Sequence, residues 1–515
     1  MKRLPDGSNG SRRRPARPVF GAVVLCACAI CGSAWADLYD DPLGTARQMP
    51  LPVSERLATL DLHCGSDALK LPLSALDAVR HALCHNPKTR QAWAAVEAQA
   101  ATVGIGESAY WPTVNIAAGI SQVRVSAEYP DQPALDSSFD GSSNEQSLNL
   151  DWVLYDFGLR AANLRHERAL FLAICASQND AILSVFLETV RAYFSAEQAQ
   201  ATFTAEVKAE QAARQSATVA EAKVGAGVGL EADHLQAKTA YAQASLNRIQ
   251  ARERLEGALG AIAAAIGARP DTPLALSAPG NDATGDIQVD AGIDQLMNRA
   301  LQSHPSIASA RARLEAAQNA VSAARAGGRP SISFTAFGDR GDTPVDRVSS
   351  RQKVETSGIG LRLRAPLFEG FGRTYRVRLA EAERAGREAD LLEARQEVSQ
   401  AVWESYVAVR GSSEARKASL ALLDSASQSF ELASGRYKAG VGNIIELLKA
   451  QSDLATARQQ DVLTRTRWRL ARLELAASLG RIDFGMLREA QGAVRAAGGL
   501  AGGESRGDDE AVVVR

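Results

Sequence analysis

Four stretches of the chain alternate oily and wet side chains with a period of two. Val114, Ile116, Ala118 and Ile120 alternate with Asn115, Ala117, Gly119 and Ser121. Leu148, Leu150, Trp152 and Leu154 alternate with Asn149, Asp151 and Tyr155. Ile332, Phe334 and Ala336 alternate with Ser333 and Thr335. Ile359, Leu361, Leu363, Ala365 and Leu367 share one face of a fourth stretch, and Arg362 and Arg364 share the other. This period predicts strands with one apolar and one polar face. Elsewhere the period is helical. Leu420, Leu423, Phe430 and Tyr437, then Leu463, Leu470, Leu473 and Ala477, recur at threes, fours and sevens, as in a coiled coil.

The pattern occurs twice. Pro87 is echoed by Pro305 and Pro112 by Pro330, each 218 residues on. Phe157-Gly158 is echoed by Phe371-Gly372, and Ala226-Gly227-Val228-Gly229 by Ala439-Gly440-Val441-Gly442. A shared offset that changes only across the hairpin and its turn into helix marks a duplication. The first repeat is read as 71–270 with its hairpin at 113–155, and the second as 291–480 with its hairpin at 331–367. Residues 271–290, rich in Pro, Gly and Asp, read as the linker. Each repeat is expected to begin with one helix (Leu73 to Ser108; Ile293 to Ala326) stopped by Pro112 or Pro330. A strand pair follows, with polar loops at 130–145 and 340–355. Then come a very long helix, a Gly-rich turn and a second long helix.

Each strand is read as about ten residues, a length that crosses a bilayer when tilted. Tyr110, Trp111, Tyr155, Phe157, Phe368 and Phe371 flank the strand ends, where an aromatic girdle would sit. Four strands cannot close a barrel, and an open edge does not persist in lipid. A membrane sheet of this kind must be completed by further copies of the chain.

Composition narrows the classes. The 515 residues are rich in Ala and poor in aromatics, which suits closely packed helices. A net charge of -1 argues against a nucleic-acid partner. Residues 1–36 read as a secretory signal: Arg12, Arg13, Arg14 and Arg17, the apolar run Val19 to Ile30, and the cleavage site Ala34-Trp35-Ala36. A retained anchor, a twin-arginine signal and a lipidated Cys28 fit these residues less well. Residues 37–70 follow as an N-terminal periplasmic segment, and 481–515 read as a disordered tail. No later segment reads as a transmembrane helix. Cys64, Cys84 and Cys175 remain after cleavage, and spacing leaves open whether Cys64 and Cys84 pair.

Motifs for chemistry are weak. Gly104-x-Gly106-x-x-Ala109 ends a helix and does not follow a strand, so it is no dinucleotide fingerprint. His81, Cys84 and His85 could hold zinc but lack an obvious fourth ligand. No nucleophile elbow or triad is visible, and neither a cofactor nor an enzymatic activity is expected. A periplasmic coiled-coil adaptor is the rival class, yet it would not need duplicated amphipathic hairpins of membrane length.

The two-fold repeat, the Pro-flanked hairpins, the Phe157-Gly158 and Phe371-Gly372 re-entries and the tip motif Tyr437-Lys438-Ala439-Gly440-Val441-Gly442 together resemble the TolC family of outer-membrane factors, over roughly residues 70–480. The resemblance implies an α+β membrane protein in the cell outer membrane of a Gram-negative bacterium. Four strands per chain would make a trimeric 12-stranded β-barrel, continued by a long α-helical periplasmic tunnel. It implies a homotrimer in outer-membrane lipid, docked to an inner-membrane ABC or proton-driven transporter through a periplasmic adaptor. The start of the mature chain, without a convincing lipobox, is similar to the type I protein-secretion branch, whose cargo is a protein such as a toxin. The drug-efflux branch is the alternative. By motif, Tyr437 and Asp233 match a Tyr–Asp link at the gate. Gly442 and Ala232 stand where the family's Arg link would be, so that link is absent. Glu446 matches one acidic ring of the periplasmic entrance, and Lys449 replaces the second. Arg362 and Arg364 would face the barrel lumen.

Overall fold

A computed structural model of the chain describes residues 41–58, 64, 69–277, 292–344 and 351–482. The signal sequence, most of the linker and all but the first two residues of the tail lie outside the described residues. Residues 41–48 form a small unit of their own. In it the Asp41 carboxylate accepts from the backbone N–H groups of Thr45 (2.9 Å) and Ala46 (2.8 Å) and caps a short 3-10 turn.

The rest runs α1 (Val53–Ala58), α2 (Ala75–His85), α3 (Pro87–Ser108), β1 (Thr113–Ala127), β2 (Ser137–Tyr155), α4 (Leu159–Gly225) and α5 (Glu231–Ala265). The second repeat supplies α6 (Ile293–Ser303), α7 (Pro305–Ala326), β3 (Ser331–Pro344), β4 (Arg351–Arg364), α8 (Gly372–Lys438) and α9 (Ile444–Ser478). The internal symmetry is close: α4 and α8 have 67 residues each, and α5 and α9 have 35 each. At about 1.5 Å per residue the two long helices each run on the order of 100 Å.

Four expectations need correction. The single helix opening each repeat is broken, at Asn86 and at His304, because the proline that follows drives its predecessor to extended backbone (ψ 132° and 131°). Both residues then cap the next helix: the Asn86 side chain accepts from the N–H of Lys88, and the His304 ring from that of Ser306. The helices end at Ser108 and Ala326, ahead of Pro112 and Pro330. The strands have 15, 19, 14 and 14 residues and not about ten, so the polar stretches assigned to loops are largely strand. β4 stops at Arg364, ahead of Pro366, and Ala365 and Leu367 lie beyond it. Finally, α4 contains one stretch long and apolar enough to cross a membrane, where none was expected, and 39% of that stretch is buried within the chain.

The long helices pack as expected of coiled coils, but through small residues. Ser412, Ser419, Ala426 and Ala433 on α8 are all buried and each lies seven residues after the last. A seven-residue seam winds helices into a left-handed supercoil, and small seam residues let their backbones approach closely. Leu420 is instead exposed, Leu423 and Phe430 are half-buried, and Tyr437 is buried. On α9, Leu473 and Ala477 are buried and Leu463 and Leu470 half-buried. Two larger cores lie near the breaks. Leu76, Val79 and Leu83 of α2 pack on Val185, Phe186 and Val190 of α4. Leu296 and Ala300 of α6 pack with Val398 and Val402 of α8. Cys64 and Cys84 form a disulfide, Cα–Cα 5.9 Å, which removes Cys84 as a metal ligand.

Candidate functional site

The sheet is antiparallel in the order β1-β2-β3-β4, so β1 and β4 are its open edges. Register assigns the faces. Arg362 lies opposite Ser333, and Arg364 opposite Ser331. Thr335 lies opposite Asp151, and Asp151 opposite Thr113, on that same face. The other face carries Ile116 opposite Leu148, Leu150 opposite Ala336, and Ala336 opposite Ile359. Ile116 is 82% and Ile359 80% exposed, so none of the described residues covers this apolar belt at its outer strands. Beyond the belt the same face turns polar, with the ion pairs Arg124–Asp140 (2.5 Å) and Arg340–Glu355 (3.5 Å). That polar extension is why the strands outlast the apolar stretch.

Strand passes into helix at Phe157-Gly158 and Gly370-Phe371, all four with positive φ. Non-glycine residues rarely take this conformation, and here two phenylalanines do. Their rings pack on Tyr155 (4.6 Å between centroids) and Phe368 (5.4 Å). Asp156 ties the first turn by accepting from Arg160 at 2.9 Å, and both side chains are 13% exposed.

At the opposite end of α4 and α8 lie the two Gly turns. Tyr437 is buried with Ala220, Ala237, Ile444 and Leu447, so one small core joins the tips of both repeats. Burial pushes the Tyr437 hydroxyl above the usual phenol value, and the nearby Asp233 carboxylate adds to the rise. Asp233 lies in the first turn of α5, half-buried. Glu446 and Lys449 are exposed on α9. They do not pair with each other: Glu446 meets Arg436 at 3.5 Å, and Lys449 meets Asp453 at 2.7 Å. The second turn is tight at Gly442. A Cβ on Gly442 would sit 2.9 Å from the backbone of Arg436 and of Tyr437, so no side chain fits there.

One residue was not singled out in the sequence. The Lys223 ammonium, at the end of α4, donates to the Tyr437 carbonyl at 3.0 Å and lies 3.8 Å from the centre of the Tyr437 ring. The available signal was the repeat itself, since Lys223 occupies the position of Arg436 at the offset of 213 that relates Gly227 to Gly440. A second feature also escaped. A cleft of about 710 Å³ lies beside the second helix break, lined among others by Asp180, Glu188, Arg191, His304, Glu404 and Glu474. Burial holds His304 below its usual pKa, partly offset by Asp180, and burial raises Asp180 itself.

Comparison with known proteins agrees with the duplication. The family described as "Outer membrane efflux protein" matches the chain twice, over residues 78–268 and 296–481. The chain is 35% identical over 410 residues to protein CyaE of Bordetella pertussis, covering 80% of this chain and 84% of that protein. It is 26% identical over 412 residues to the toluene efflux pump outer membrane protein TtgF of Pseudomonas putida, covering 78% and 81%. Among solved structures, the outer membrane protein VceC of Vibrio cholerae superposes with a TM-score of 0.67 at 19% identity, covering 79% of this chain and 96% of that one. With both repeats matched in series and a 35% identical relative aligned over four fifths of the chain, the chain belongs to the outer membrane efflux protein family.

Proposed function

We propose that three copies of the chain form an outer-membrane export duct of the type I secretion kind, passing a protein from an inner-membrane transporter and its adaptor to the outside. The observation that carries this is the sheet: one face apolar and uncovered, the other polar and arginine-bearing, both edges open. Such edges are satisfied in lipid only by neighbouring copies. Four strands are too few for a water-filled barrel, and three copies would supply twelve. Arg362 and Arg364 would then face the lumen, and Ile116, Leu148 and Ile359 the lipid.

The secretion branch is favoured over efflux by the higher identity to CyaE, 35% against 26% to the toluene pump component. The tips would form the periplasmic gate, with Tyr437 and Asp233 as a linked pair and Glu446 and Lys449 at the entrance. Reconstitution into planar bilayers tests the duct. Discrete channels from detergent-extracted trimers are expected, and a monodisperse, detergent-free monomer without conductance would reject it. Deleting the gene separates the branches: loss of one secreted protein from the medium supports type I secretion, and drug sensitivity with secretion intact supports efflux.

A further inference from the structure

The two tip hairpins are copies of one unit, yet they are wired differently. Arg436 and Glu446 face each other across the turn of the second hairpin and pair at 3.5 Å. The offset of 213 places Lys223 and Asp233 at the same two positions of the first hairpin. No ion pair joins them. Lys223 turns instead to the other hairpin, where it donates to the Tyr437 carbonyl at 3.0 Å and lies 3.8 Å from the ring centre.

We infer that Lys223 is the latch that holds the first hairpin of each protomer to the second, and that the tip opens when it is released. This rests on the reading of the tips as the gate of a pore.

The chemistry suits a releasable contact. An ammonium over a ring face is held by the ring's quadrupole, and the carbonyl accepts a hydrogen bond from one of its three N–H groups. Both acceptors belong to Tyr437, at the end of α8, while Lys223 ends α4. Moving one hairpin away from the other therefore breaks both bonds together. The Arg436–Glu446 pair lies within one hairpin, moves with it, and does not resist separation. The repeat has thus kept an intra-hairpin pair in one copy and turned the same position outward in the other. Asp233, left without its lysine, lies close enough to Tyr437 to raise the pKa of the hydroxyl.

Single-channel conductance of full-length protein in planar bilayers tests the latch, with wild type, Lys223→Met, Arg436→Met and Tyr437→Phe compared. Lys223→Met is expected to raise the open fraction by about tenfold, the scale of losing a cation–ring contact and its hydrogen bond together. Arg436→Met uncovers Glu446 and so shifts ion selectivity, but it is expected to leave the open fraction near wild type. Tyr437→Phe keeps the ring and the carbonyl, so it should open the channel less than Lys223→Met does. Wild-type conductance from Lys223→Met, or equal opening by Arg436→Met, overturns the latch. A wild-type protein that forms no channel would instead reject the pore itself. If Lys223→Met does not assemble, Tyr437→Leu removes the ring while keeping an apolar side chain, and unchanged conductance from it overturns the proposal equally.

Discussion

Glu197 of α4 and Arg469 of α9 meet at 2.8 Å, with side chains only 11% and 12% exposed. They tie the two repeats together away from the tips. An ion pair so sheltered contributes little net stability over apolar packing, but breaking it by removing one partner is costly. Arg469→Met is expected to destabilise the protein by about 3 kcal/mol, because it breaks a charge pair at a site only about a tenth exposed. The more exposed pair Lys88–Glu188, 57% and 50% exposed, is the control. Lys88→Met is expected to cost under about 1 kcal/mol. Thermal melting of the detergent-solubilised protein measures both, and equal losses would contradict the contrast.

The Cys64–Cys84 disulfide closes a 20-residue separation onto α2, whose apolar face packs on α4. Cross-linking a loop of this length restricts the unfolded chain and is worth about 3 kcal/mol. Replacing both cysteines with serine is expected to lower the melting temperature in oxidising buffer. In reductant the wild type and the variant should melt together. A variant that melts with the oxidised wild type would mean the disulfide adds nothing.

Stability should also depend on pH through the second helix break. Burial holds His304 below its ordinary value of 6.5, with Asp180 offsetting part of the effect. The unfolded chain therefore takes up this proton at a higher pH than the folded chain does. The stability His304 contributes is complete above about 6.5 and is lost as pH falls through its lowered folded value. Asp180 acts in the opposite sense, since its raised carboxyl pKa favours folding at low pH and loses that effect as pH rises. Lys88, Glu188, Arg191, Glu404 and Glu474 line the same cleft. Protonation also removes the cap, because the ring nitrogen facing the Ser306 N–H at 3.3 Å could no longer accept. Asn86 performs the same capping in the first repeat without titrating. His304→Asn is therefore expected to flatten the fall in melting temperature between about pH 7 and pH 5. An unchanged slope would place the titration elsewhere.

Much of this architecture is legible in the sequence because duplication supplies a second reading of every element. The hairpin 113–155 coincides with β1 and β2, and the Gly turns fall where the repeat sets them. The helix breaks were visible as Asn86-Pro87 and His304-Pro305, yet they served only as repeat markers. Apolar periodicity continues across them and hides a one-residue interruption. The strand extensions were lost for another reason. Ser137 to Asn144 is rich in Ser, Gly and Asp, the composition of a loop, and only pairing with β1 makes it strand. Side-chain direction was the least legible of all. Periodicity does not mark Gln178 of α4 as 1% exposed with both amide atoms unpaired, or Lys223 as reaching the other hairpin. Those depend on how two distant helices pack.

The entrance charge offers the most direct test of the tip. Lys449 and Asp453 pair at 2.7 Å with side chains 72% and 50% exposed, and Glu446 lies one turn earlier. Residues 446, 449 and 453 are spaced by three and four, so they share one face of α9. Arg436 and Lys449 each neutralise a carboxylate here, leaving the face nearly balanced. Lys449→Asp would remove one cation and add one anion, giving three carboxylates in a row on each chain and nine in a trimer. Like charges crowded around a narrow, low-dielectric opening focus the field and concentrate counter-ions. The variant is expected to become more cation-selective. A trivalent cation such as hexamminecobalt(III), added on the periplasmic side, should block it at a concentration about tenfold or more below that needed for wild type. Reversal potentials under a salt gradient and titrated block in a planar bilayer measure the two effects. If selectivity and block both stay at wild-type values, residues 446 to 453 do not line the entrance, and the passage opens along another face of the helices.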